Sequence, residues 1–205
     1  MIKFEDDNIE KIYLGDSTIK KIYLGGDLIY TQPVYRNADW IKLGSSLITT
    51  FYPTRETEVQ ADVNIVSKVM YMYQSEASGS SSRNFAAFVP ETYTAGSTGY
   101  WRLDGKWISV NTVIYLNQWI NIKQNKTGGW INGSSVGTYS SPSSFTSNTP
   151  LQINTNIKIR TFKVLNNRVL IYDFIPVQEI ATGYYGLLDK VSGNFYGNSN
   201  NTGQV

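Results

Sequence analysis

Neither cysteine nor histidine occurs among the 205 residues. With no thiol and no imidazole, a disulfide framework, a Cys/His zinc site, a thiolate nucleophile and a Ser-His-Asp triad are all excluded. Net charge is also scarce: 18 Lys and Arg against 16 Asp and Glu leave a formal +2. That is too little, and too evenly spread, for the basic footprint of a nucleic-acid binder, so no nucleic-acid partner is expected. No apolar run is long enough for a membrane-spanning helix, and Glu5, Asp6 and Asp7 stand where a signal peptide needs an apolar stretch. The expectation is a chain made in soluble form, without membrane insertion or encoded export. Zero cysteine fits any redox compartment and does not choose one.

What is present is a chain 41% hydrophobic and 14% aromatic. Its length suits one large domain, or one domain with an appendage, and a body of about 150 residues would bury roughly 70% of its unfolded surface. The front carries a repeat: Ile9-Glu-Lys-Ile-Tyr-Leu-Gly15 returns ten residues later as Ile19-Lys-Lys-Ile-Tyr-Leu-Gly25, with one difference in seven. Each unit is a short β run closed by turn residues, and a lone hairpin is marginal in water. Two outcomes are open: extra strands on the body, or pairing with other copies or a larger assembly through an exposed edge. The second is expected, with Ile12, Tyr13, Leu14, Ile22, Tyr23 and Leu24 as the attachment or oligomerisation residues. Thr31-Gln32-Pro33 reads as a linker, because Pro33 cannot donate to a ladder. The division is 1–33 for the β-repeat segment and 36–205 for the body.

From residue 38 onward the apolar period is two. Val59, Ala61, Val63 and Ile65 alternate with Gln60, Asp62 and Asn64, and Ile120 and Ile122 alternate with Asn121 and Lys123, the mark of strands with one dry and one wet face. Turn signals recur at Asp104-Gly105, Lys126 to Gly129, Asn132-Gly133, Asn166-Asn167 and Ser192-Gly193-Asn194. The body is therefore all-β, a sandwich or jelly roll of two antiparallel sheets. Ile157 and Ile159 share one parity while Phe162 and Val164 share the other, which predicts a bulge near Arg160-Thr161. Residues 75–99 read as loops around one short strand at Phe85–Val89, and 140–149 as a polar surface connection.

The chain closes on Tyr172-Asp173-Phe174-Ile175-Pro176-Val177 and Gly186-Leu-Leu-Asp-Lys-Val-Ser-Gly-Asn-Phe-Tyr-Gly-Asn198. This resembles the closing signature of the concanavalin A-like (laminin-G-like) jelly-roll domains of bacteriophage and prophage tail and fibre proteins. In order along the chain, Trp40 to Thr50 with Pro53-Thr54 is similar to the opening strand pair. Gln118 to Ile122 with Gly129 to Gly133 is similar to the central hairpin, and Ile159 to Val164 leads into the final strands. The doubled Lys-Ile-Tyr-Leu-Gly is similar to the leader repeats of such virion proteins. The resemblance implies a non-enzymatic virion structural protein: a head fibre, tail fibre or capsid decoration displaying a lectin-like domain for adhesion. Its location would be the virion, assembled in the bacterial cytoplasm. Its partners would be other capsid or tail proteins and a cell-surface or mucus glycan. Symmetry favours a closed homo-oligomer, and fibres of this kind favour a trimer.

Two further readings follow from that jelly roll. A glycoside hydrolase needs paired carboxylates, commonly from a Glu-x-Asp-x-x-Glu run. No such run occurs; Glu56 and Glu58 share a face and read as solvated edge residues, so no enzyme activity and no catalytic residue is expected. Asp104, Asp173 and Asp189 look scattered, as ordinary turn or strand-end residues, so no metal and no cofactor is expected, although an oxygen-rich loop could hold a lone calcium. A glycan-binding module would instead use aromatic faces ringed by hydrogen-bonding groups. In Tyr100-Trp-Arg-Leu-Asp-Gly-Lys-Trp-Ile108, a two-residue turn at Asp104-Gly105 pairs Leu103 with Lys106, Arg102 with Trp107 and Trp101 with Ile108. Trp101, Leu103 and Ile108 then face the core. Tyr100, Arg102 and Trp107 form the opposite shelf, for a glycan or another subunit, unless Arg102 simply stacks on Trp107. Trp119 and Trp130 are expected in the core, and Trp40 is expected to anchor the linker. Three glycosylation sequons, at Asn125, Asn132 and Asn200, would be idle in a phage protein.

Overall fold

The computed structural model describes residues 12–14, 17–19, 21–24, 27–31, 33–66, 71–76, 83–88, 99–103, 106–110, 116–140, 144–155 and 157–205. Among the described residues there is no helix, and the strands run as follows. The front holds β1 (Ile12–Leu14), β2 (Ser17–Ile19), β3 (Lys21–Leu24) and β4 (Asp27–Thr31). The body begins with β5 (Tyr35–Asn37), β6 (Trp40–Lys42), β7 (Leu47–Ile48), β8 (Thr57–Ile65), β9 (Tyr71–Glu76) and β10 (Arg83–Phe88). It continues with β11 (Gly99–Leu103), β12 (Lys106–Val110), β13 (Trp119–Asn125), β14 (Gly128–Ile131), β15 (Ser134–Thr138) and β16 (Gln152–Ile153). It closes with β17 (Ile157–Asn166), β18 (Val169–Glu179), β19 (Tyr185–Asp189), β20 (Phe195–Asn198) and β21 (Thr202–Gln204).

The all-β prediction holds. Two antiparallel sheets make the body: a six-stranded sheet ordered β12-β11-β10-β9-β16-β7 and an eleven-stranded sheet built along β15-β14-β13-β8-β17-β18-β19-β20, with β5, β6 and β21 attached. The front strands pair as two hairpins, β1–β2 and β3–β4, and among the described residues neither adds a strand to a body sheet. Of the expected connection at 140–149, residues 140 and 144–149 are described and lie outside the named strands, though Ser147 is buried and Phe145 packs against the core.

The alternation seen in the sequence sets the core. Val59, Ala61, Val63 and Ile65 of β8 and Ile122 of β13 are essentially fully buried, as are Phe85, Trp101, Leu103 and Ile153 of the smaller sheet. Each of these Val, Ile, Leu and Phe side chains contributes about 1.5–3 kcal/mol through its removal from water, and Ala61 less. The two sheets approach closely where Trp101 lies against Gly129; a Cβ there would stand 2.2 Å from the indole ring, so only glycine fits without a shift. The predicted bulge is at Arg160: Ile159 pairs with Val63 and Thr161 with Asp62, leaving Arg160 as the extra residue. It coincides with a change of neighbour. Before it β17 pairs with β6 (Ile159 opposite Ile41), and after it with β18 (Phe162 opposite Phe174). The bulge thus restores parity, keeping Ile159 and Phe162 both inside.

One polar side chain crosses the core. Gln124, the next inward position after Ile120 and Ile122, is fully buried. Its Oε1 accepts from the Tyr73 hydroxyl at 2.6 Å, and its Nε2 donates to the Tyr139 hydroxyl at 2.7 Å and to the Arg102 carbonyl at 2.8 Å. This network ties the large sheet to the small one with its donors and acceptors matched. Burial pushes the Tyr73 and Tyr139 phenols above their ordinary value, so both stay neutral.

Candidate functional site

With Val59, Ala61 and Val63 pointing inward, Glu58, Gln60, Asp62 and Asn64 of β8 line the outer face of the large sheet. Asn121 and Lys123 of β13 stand opposite Asp62 and Gln60. Across this face lie tryptophans matched with cations: Lys158 Nζ is 4.0 Å from the Trp40 ring centroid, Arg160 Cζ is 3.9 Å from that of Trp119, and Lys123 Nζ is 5.6 Å from that of Trp130. Trp119 and Trp130 are half-buried on this face, which corrects their expected core placement. The reason is parity: Ile120 and Ile122 hold the inward positions of β13, so Trp119 points out, and Trp130 stands opposite the outward Lys123. Trp40 is half-buried, its Nε1 donating to Gln204 Oε1 on the neighbouring β21 at 3.0 Å.

At the β8 start, the turns after β13 and β17 enclose a cleft of about 410 Å³ lined by Glu56, Glu58, Asn125, Lys126, Leu165 and Arg168, among others. The sequence placed the second hairpin turn at Asn166-Asn167; the positive φ values fall one residue later, at Asn167 (49°) and Arg168 (66°). Lys126 Nζ sits 2.7 Å from Glu56 Oε2, and this hydrogen bond lowers the Glu56 carboxyl below its ordinary range. Burial raises the Glu58 carboxyl, but hydrogen bonds from Asn125 and Gln60 and the Lys123 ammonium at 3.3 Å outweigh it and leave the group lowered. Glu58 is not an edge residue, since β8 has β13 and β17 on its two sides. Both glutamates are therefore neutralised anions. Asp62 is the exception: burial raises its carboxyl, with Arg160 opposing.

Asp173 and Asp189 are not scattered. They are neighbours across β18 and β19, where Asp189 Oδ1 accepts the Asp173 backbone N–H at 2.9 Å. Asp189 also accepts the Val191 and Ser192 N–H groups and the Ser192 hydroxyl. Its oxygens are committed to closing the 189–194 turn, and these bonds lower its carboxyl against the upward push of burial. Asp173 lies between Lys163 at 3.7 Å and Lys190 at 3.6 Å. Among the described residues, no group of three or more acidic side chains suited to a metal ion is present.

The β11–β12 hairpin has the register of a two-residue turn: Leu103 opposite Lys106, Arg102 opposite Trp107 and Trp101 opposite Ile108. Trp101, Leu103 and Ile108 are buried, as that register requires. Arg102 is half-buried. The side chains of Tyr100 and Trp107, and those of Ile12, Tyr13, Leu14, Ile22, Tyr23 and Leu24, lie outside the described residues, as does Asp104. The Trp-cation row on the large sheet was missed by sequence reading; the parity of Trp119 against Ile120 was the available signal.

Fold and surface together define an all-β sandwich whose outer face carries matched aromatic, cationic and amide groups. Compared with known proteins, the chain matches no family model and no curated protein sequence.

Proposed function

We propose that the chain is a non-enzymatic adhesion module of a bacteriophage virion, a head fibre, tail fibre or capsid decoration. In it residues 1–33 attach or oligomerise and a concanavalin A-like jelly roll is displayed. The ordered segments quoted above support the family, and the two-sheet body agrees with it. The observation that carries the non-enzymatic reading is the spacing of outward carboxylates on β8. Glu58 and Asp62 are four residues apart, about 13 Å along a strand, whereas glycosidase pairs stand roughly 5–9.5 Å apart. Glu56 and Glu58 are closer but both are held ionised, which leaves no proton donor between them. Contact, not turnover, fits such a surface. Deleting residues 1–30 should give a folded body that no longer joins the particle; normal occupancy by the truncated chain would reject this division.

The second reading, a glycan-binding receptor-recognition module, draws on the β11–β12 register, which sets Arg102 directly opposite Trp107 with Tyr100 on the same parity. A glycan array tests it. Signal that Trp107→Ala abolishes would favour the shelf, and an array blank for both neutral and acidic glycans would remove the reading.

A further inference from the structure

The opposite end of the β8 outer face has unspent chemistry. Four residues form one transverse row across four strands: Trp119 on β13 stands opposite Asn64 on β8, Asn64 opposite Lys158 on β17, and Lys158 opposite Lys42 on β6. Three interstrand spacings make the row about 14 Å long. Two features of it are unfavourable to the protein alone. Lys42 and Lys158 are like charges directly opposed, with no carboxylate paired to either among the described residues, and such pairs destabilise a sheet. Asn64, only 6% exposed, has an amide oxygen with no hydrogen-bond partner, and buried acceptors are normally satisfied. Beside the row the bulge aims the exposed Arg160 outward over Trp119, and bulges often re-aim a side chain next to a functional site. The acid facing this cluster is Asp62, beside Arg160.

Resting on the adhesion reading above, we infer that this row is a binding site for an acidic polysaccharide, lodged along Trp119, Asn64, Lys158 and Lys42. Each unmet need matches a part of such a ligand. The cations Lys42, Lys158 and Arg160 take carboxylate groups, the orphan Asn64 oxygen takes a hydroxyl donor, and the parts of the Trp40 and Trp119 rings that Lys158 and Arg160 leave uncovered supply apolar surface for sugar C–H groups. A phosphodiester polymer also meets the cations, and RNA, unlike DNA, adds a 2′-hydroxyl and stacking bases, which is why poly(U) is the competitor to test. DNA offers no sugar hydroxyl along its backbone, and three cations release too few counterions for firm binding.

The test uses the full chain with immobilised polygalacturonate, neutral dextran and poly(U). Binding to polygalacturonate, weakening steeply with salt, is expected, with none to dextran. Lys42→Ala/Lys158→Ala should weaken it about tenfold or more, and Asn64→Leu about fivefold. Both variants should melt at or above the parent temperature, which separates lost binding from lost fold. Polygalacturonate binding that both variants leave intact would overturn the site while leaving adhesion standing. Equal or tighter binding of poly(U) would overturn the sugar assignment in favour of nucleic acid. Binding to none of the three polymers would overturn the inference, and only a blank glycan array would also remove the glycan-binding reading.

Discussion

Three side-chain amides are buried among the described residues, those of Asn64, Gln124 and Asn201, and the first two are treated in opposite ways. Gln124, on the inner face of β13, spends both its amide atoms on Tyr73 and Arg102 of the smaller sheet and on Tyr139, just past β15. Asn64, on the outer face of β8, keeps an amide oxygen with none. The first arrangement stabilises a fold, because each desolvated group recovers a hydrogen bond. The second stabilises nothing by itself, and it lies between a tryptophan and two opposed lysines. The same contrast separates the ends of the outer face. Near Glu56 and Glu58 each carboxylate has its cation, whereas near Lys158 the cations exceed the acids. A surface charge that is matched internally is a weak candidate for recognition, and one left unmatched is a strong one.

Substitutions at these places should separate the two kinds of polar group. The largest effect is expected from Gln124→Ala, which strands the Tyr73 and Tyr139 hydroxyls and the Arg102 carbonyl; a loss of about 3 kcal/mol or more is expected by urea denaturation. A loss under about 1 kcal/mol would mean the network is not structural. Asp189→Asn comes next, at about 2 kcal/mol, because it turns a buried four-donor acceptor into a partial donor. The parent protein should show the matching pH dependence. The Asp189 pKa is lowered on folding, so its contribution is full above the unfolded value of 3.8 and is lost as pH falls below that toward the folded pKa. Acid titration by circular dichroism should show Asp189→Asn flattening this arm. Asn64→Leu should reverse the sign, stabilising by up to about 1 kcal/mol, since it removes an unsatisfied oxygen. The smallest effect belongs to Lys126→Ala, with no change in the denaturation midpoint expected, as its pair with Glu56 is solvent-exposed.

Much of this was legible in the chain. The β8 and β13 alternation, the Arg160 bulge and the Leu103–Lys106 register all follow from local parity and turn chemistry, which act within one strand or one hairpin. Parity alone would also have put Gln124 inside and Trp119 outside, had it been carried one residue past Ile122 and one before Ile120. The burial of Asn64 and the opposition of Lys42 to Lys158 could not be read that way. They arise from pairing between strands more than 90 and 110 residues apart in sequence, respectively, which no local pattern encodes. Asp173 and Asp189 are only 16 residues apart, and they looked unrelated because the β18–β19 register that makes them neighbours has no turn signal as plain as Asp104-Gly105.

The central question for this protein is whether its outer face holds a ligand without transforming it. An NMR titration of the full chain with polygalacturonate, assayed in parallel for new reducing ends, measures both. The expected result is saturable shifts at Asn64, Lys158, Arg160 and the Trp40 and Trp119 indoles, with polymer length unchanged. Reducing ends that accumulate, and that Glu58→Gln or Asp62→Asn abolishes, would contradict it.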